Sequence, residues 1–126
     1  MKLSSQLHKT NIIQSLKSTS KSEAIQELLD RLLSLNYLTA TVKLYAFIDN
    51  DDKLINAAVG RGVAYHSSIS IEIDQQLAVL GISQKGIEYD SPDGQRVHII
   101  LLILDTENES QLHRKLITRF QHFIND

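Results

Sequence analysis

The chain has 126 residues, of which 42% are hydrophobic and 22% charged, the makeup of one globular domain able to bury a core. Its net charge of -2, with 13 Lys and Arg spread along the chain, leaves no electrostatic footprint for nucleic acid. The absence of cysteine excludes disulfides, thiolate zinc sites and thiol catalysis, so chemistry must come from oxygen or imidazole, and it fits a reducing cytoplasm.

The opening residues, MKLSSQLHKTNIIQSL, contain no apolar region of signal-peptide length. The longest apolar stretch, Ile99 to Leu104, is too short to cross a bilayer, so a cytoplasmic protein without direct membrane insertion is expected. Ser20-Lys21-Ser22-Glu23 fits a capping box, in which the serine oxygen accepts from an early helical N–H and the glutamate reaches back to the cap. The helix it opens carries Ile25, Leu28, Leu29, Leu32 and Leu33 as one buried stripe, and Asn36 terminates it. A second helical pattern, Val42 to Ile48, places Leu44, Phe47 and Ile48 at helical spacing and ends in Asp49-Asn50-Asp51-Asp52. That acidic run lacks the alternating oxygen ligands and closing glutamate of a calcium loop and reads as a solvated helix end.

From residue 60 the signal turns to strands. In Gly60-Arg61-Gly62-Val63-Ala64-Tyr65-His66-Ser67-Ser68 the two glycines permit a tight turn, Val63 to Tyr65 reads as a short strand, and His66 stands where that strand would emerge into a loop. Ile69, Ile71 and Ile73 alternate with Ser70, Glu72 and Asp74, which predicts one buried and one wet face. Leu77 to Ile82 is a further apolar run. The single proline lies in Ser91-Pro92-Asp93-Gly94, a β-turn signature. Val97 to Leu104 is unbroken enough for a central strand covered on both faces. Thr106-Glu107-Asn108-Glu109 is a second capping box, opening a helix with Leu112, Leu116, Phe120, Phe123 and Ile124 at helical spacing. This order predicts an α/β fold in which helices pack on a mixed β-sheet, as a single domain over residues 1–126.

Five histidines are the obvious carriers of chemistry. His66 follows a strand and His113 lies near the start of the last helix, so both can meet at one edge of the sheet. A neutral imidazole can attack a phosphoryl group, and a second imidazole nearby can stabilise the transferring oxygens. On spacing alone, two surface histidines are the favoured reading. His98, inside the apolar strand, reads as a hydrogen-bonded core histidine; His8 and His122 read as peripheral. Nothing resembles H-x-x-x-H or H-E-x-x-H, so no metal or cofactor is expected, and the P-loop, Rossmann and G-x-S-x-G fingerprints are absent.

Taken together, these segments resemble the fructose/mannitol-type enzyme IIA domain of the bacterial sugar phosphotransferase system and its nitrogen-regulatory relative. The resemblance runs from about Ser20 to the C-terminus. It is carried by Lys21 to Tyr37 as the early helix, Gly60 to His66 against a glycine-x-glycine-[IV]-alanine-x-proline-histidine pattern, Leu80-Gly81-Ile82, Gly86 to Asp90, Asp93 to Val97, and His113-Arg114-Lys115-Leu116. It implies a mixed β-sheet sandwiched by helices. It also implies that His66 accepts a phosphoryl group from the phosphocarrier HPr and passes it to an enzyme IIB domain or acts in regulation, with His113 stabilising the phosphate.

The sequence departs from that pattern at Asp51, where the family carries an arginine, and at Tyr65, where it carries a proline in a stretch one residue longer. Arg61, near His66 in sequence, is a substitute cation on this reading. The departures leave a second expectation open: a degenerate regulatory module that keeps the fold and binds a partner protein without phosphotransfer. A third expectation is a small metal-dependent hydrolase built on His66, His113 and an aspartate.

Overall fold

A computed structural model of the chain describes residues 11–54 and 57–106, with the backbone alone described at 51–54. Seven elements follow in order: β1 (Ile12–Ile13), α1 (Lys21–Ser34), α2 (Val42–Leu54), β2 (Ala58–Gly60), β3 (Val63–Ile69), β4 (Leu77–Ile87) and β5 (Val97–Asp105). The strands form one sheet in the order β1-β4-β5-β3-β2. Within it β1/β4 and β3/β5 run parallel, while β4/β5 and β2/β3 run antiparallel. The expected mixed sheet with packed helices is therefore present.

Both ends of α1 follow from its sequence. The Ser20 hydroxyl oxygen accepts from the Glu23 N–H at 3.3 Å, and the same hydroxyl donates to Glu23 Oε1 at 2.9 Å. At the other end Asn36 takes φ 65, its N–H donates to Leu33 O, and the Tyr37 N–H donates to Leu32 O, which is a Schellman closure with asparagine in place of glycine. Ile25, Leu28, Leu29 and Leu32 are buried as the stripe requires, but Leu33, at the stripe's margin, is 37% exposed. The connection before α1 is held by Glu27, whose carboxylate accepts from the N–H groups of Lys17 and Ser18.

β5 is the axis of the sheet. Ile100, Leu102 and Leu104 face one core, shared with α1 and α2, while Leu101 and Ile103 face another with Val63 and Ala78. This two-sided burial explains the unbroken apolar run, since alternation disappears when both faces are covered. The predicted helix after Thr106 lies outside the described residues.

Three expectations are corrected. α2 continues through the acidic run to Leu54 instead of stopping before it, and it buries Leu44 and Ile48 while Phe47 is 65% exposed. Phe47 sits a turn-third away from the face that Leu44 and Ile48 press on the sheet, so spacing from Leu44 alone misplaced it. The alternation at Ile69, Ile71 and Ile73 does not mark a half-buried strand. β3 ends at Ile69, Ile71 is 86% exposed, and the buried residue there is Ser70, whose N–H donates to Asp105 O. A period-two pattern in an irregular connection carries no sheet face, because no ladder fixes its pleat.

Candidate functional site

The stretch from Gly60 to Ser68 folds as the tip and outgoing strand of the β2–β3 hairpin. Gly60, Arg61 and Gly62 take φ 89, 58 and 77, a run of left-handed residues in which only the middle one carries a side chain. The cost of placing Arg61 there is offset by an anchor from the opposite loop: its N–H donates to Asp93 Oδ2 at 2.8 Å. Asp93 also accepts from the Gln95 N–H at 3.1 Å and stands in the predicted turn, which is closed by Gly94 N–H to Ser91 O at 3.0 Å. These backbone donors, Arg61 first and then Gln95, hold the Asp93 carboxyl below its ordinary value. The Gly62 carbonyl accepts from the His98 and Ile99 N–H groups, locking the start of β3 to β5.

His66 does not stand where a strand gives way to a loop. It is the fourth residue of the seven-residue β3, in register with Leu102 of the central strand. The run Tyr65-His66-Ser67-Ser68 looked like a strand end because His and Ser are weak strand formers, yet parallel pairing with β5 carries the strand on to Ile69. Strand alternation places His66 on the same face as Ala64, toward the helices, and Tyr65 on the opposite face with Leu101 and Ile103. The His66 side chain is 4% exposed. Its Nε2 lies 2.8 Å from the hydroxyl of Tyr89, itself 1% exposed, with ring centroids 5.6 Å apart and planes tilted by 49°. Lys21, the first residue of α1, places its Nζ over the Tyr89 ring, 5.5 Å from the centroid.

Arg61 lies in the turn before β3 and His98 in β5. Arg61 occupies the turn that opens β3, whereas His66 stands three residues, about 10 Å of extended chain, beyond Val63. His98 is exposed, in contrast to the core histidine expected of it, although its Nδ1 does meet Ser83 O at 2.8 Å. His8, His113 and His122 lie outside the described residues, as do the side chains of Asp51 and Asp52. Tyr89 is the member of this centre that sequence reasoning passed over. Its signal was a polar-tipped aromatic within Gly86-Ile87-Glu88-Tyr89-Asp90, a segment otherwise read only for its resemblance.

The match to known proteins agrees with this arrangement of elements. Residues 5–126 match the family described as "Phosphoenolpyruvate-dependent sugar phosphotransferase system, EIIA 2". The chain belongs to this EIIA family. Among curated relatives, the fructose-specific EIIABC component of the phosphotransferase system of Bacillus subtilis (strain 168) is 25% identical over 119 residues, covering 94% of this chain and 19% of that protein. The chain thus spans about a fifth of that relative's length. A nitrogen regulatory protein of Bradyrhizobium diazoefficiens is 27% identical over 115 residues, covering 91% of this chain and 74% of the relative. The crystal structure of the nitrogen regulatory protein IIA-Ntr from Neisseria meningitidis superposes with a TM-score of 0.82 at 20% identity, covering 93% of this chain and 80% of that one. Among the described residues no helix is long and apolar enough to cross a membrane.

Proposed function

We propose that this EIIA domain acts as a regulatory, protein-binding module in which His66 is a buried structural group and not a phosphoryl carrier. The observation that carries the reading is the enclosure of His66, 4% exposed with Nε2 held against Tyr89. In-line transfer needs an acceptor nitrogen with a free lone pair facing the phosphorus at near-attack distance, with room for the donor protein behind it. A ring on the helix-facing side of a sheet, with Nε2 held against Tyr89, offers that nitrogen neither. One curated relative, covered to 74% of its length, carries a regulatory name, which agrees with the reading.

The test is incubation of the protein with phosphoenolpyruvate, enzyme I and HPr, followed by intact-mass measurement. The expected result is no acid-labile, phosphate-sized gain with HPr from any source. A gain that maps to His66 and disappears in His66→Ala overturns the proposal.

The second reading is favoured by the family match over residues 5–126. In it the chain is a transferase-type carrier of the phosphotransferase system in the cytoplasm. His66 takes the phosphoryl group from phospho-HPr, His113 stabilises its oxygens, and an enzyme IIB domain or a regulated protein receives it. Arg61 would then supply charge from the β2–β3 turn. The same mass measurement decides between the two.

A further inference from the structure

The His66–Tyr89 contact is built from three sides. His66 is fixed by the β3–β5 ladder, with Ala64 and Leu102 as its core neighbours on the helix-facing side. Tyr89 belongs to the same core, and the segment that carries it is tied to the cap of α1 through the bridge between Ser20 and Glu88. Lys21 then places a cation against the Tyr89 ring. A buried tyrosine hydroxyl needs a partner, and here it meets His66 Nε2 at 2.8 Å. Whichever of the two groups carries the hydrogen, Nε2 is not nucleophilic. If the hydroxyl donates, the nitrogen lone pair is engaged; if Nε2–H donates, that nitrogen has no free lone pair.

We propose that Tyr89 is the positioning residue that keeps His66 closed: its hydroxyl occupies Nε2 and holds the imidazole inside, and His66 becomes reachable only when this contact opens. The inference rests on the reading of His66 as an enclosed group, and it is tested without phosphoryl transfer so that the two can fail separately.

The probe is diethyl pyrocarbonate, which acylates an accessible neutral imidazole with release of carbon dioxide and ethanol, mapped by peptide mass on the full chain. In the native protein His98, exposed on the same sheet, is modified and His66 is protected. Tyr89→Phe raises the His66 rate about tenfold, the effect of losing a hydrogen bond worth about 1.4 kcal/mol, and leaves the His98 rate unchanged. Nitrogen-15 NMR of labelled histidine shows a single His66 tautomer in the native chain and a displaced Nε2 resonance in Tyr89→Phe. Lys21→Met loosens the ring from outside the core and raises the His66 rate by a smaller factor. It removes a cation from a helix N-terminus and so spares the fold, which keeps the test usable if Tyr89→Phe does not fold. The proposal is overturned if His66 reacts as fast as His98 in the native protein. It is equally overturned if Tyr89→Phe leaves both the His66 rate and the Nε2 resonance where they were.

Discussion

Two buried polar side chains facing each other are worth little as a net attraction and a great deal as a constraint. Removing one partner strands the other in the core at about 1–3 kcal/mol, whereas replacing both with apolar groups is close to neutral. For His66 and Tyr89 the consequence is a specific pattern. His66→Leu and Tyr89→Phe each lower the free energy of denaturant unfolding by about 1–3 kcal/mol, and the double variant falls well short of their sum. Additive losses would mean that the two side chains do not act on each other. Asp93 belongs to the same scale with the opposite exposure, since it is a surface carboxylate pinned by backbone donors. Its folded pKa lies below the ordinary carboxylate value, so its contribution is present above that value and disappears as the pH falls through the lowered one. Asp93→Asn therefore gives a shallower acid-side fall of Tm than the parent, with the curves converging at the acid end. These residues also mark the limit of what the chain's letters convey. That His66 could carry chemistry was legible; that Tyr89 covers it was not, because the two lie 23 positions apart and are brought together by the fold and not by any local spacing.

At the level of elements, legibility followed the physics of the signal. α1 was readable at both ends because capping is local: a hydroxyl, a carboxylate three residues on, and a residue tolerant of positive φ at the exit. Ser20→Ala removes the first of these and is expected to lower stability by about 1 kcal/mol, measured by chemical denaturation, with the helical content of the folded state unchanged. β5 was readable because Ile100 to Leu104, buried on both faces, leave an unmistakable apolar run. β3 and α2 were misjudged at their ends for a shared reason. The letters at those ends, His66-Ser67-Ser68 and Asp49-Asn50-Asp51-Asp52, read as ends of the element, yet both elements run on through them. In β3 the partner strand supplies the hydrogen bonds through to Asp105. The candidate site inherited this error, since a histidine at a strand end is exposed and a histidine at mid-strand on a covered face is not.

The whole molecule depends on how closely the helix layer can approach the sheet, and Gly81 is where that distance is set. It lies in β4 in register with Ile13 on one side and Ile100 on the other. A Cβ built there would come within 2.9 Å of both Leu16 Cδ1 and Leu28 Cδ2. Leu28 is the centre of the α1 stripe, and Leu16 comes from the connection whose N–H is held by Ile82 O at 2.8 Å. One added methyl therefore presses simultaneously on α1 and on the segment that ties β1 to it. Both leucines are packed on all sides, so neither can yield without moving its element. Gly81→Ala should lower the unfolding free energy by about 1–3 kcal/mol, the usual cost of overfilling a core. Its φ is not in the left-handed region, so strain of the backbone adds nothing and the cost is one of space alone. That separates the explanations: truncating Leu16 to Ala by itself opens a cavity and costs about 2–5 kcal/mol, but in the Gly81→Ala background the new methyl fills part of that cavity. The double variant is then more stable than the sum of the two losses predicts, by about 1 kcal/mol or more. Strict additivity in the denaturation curves would mean that the spacing of helices and sheet is set elsewhere.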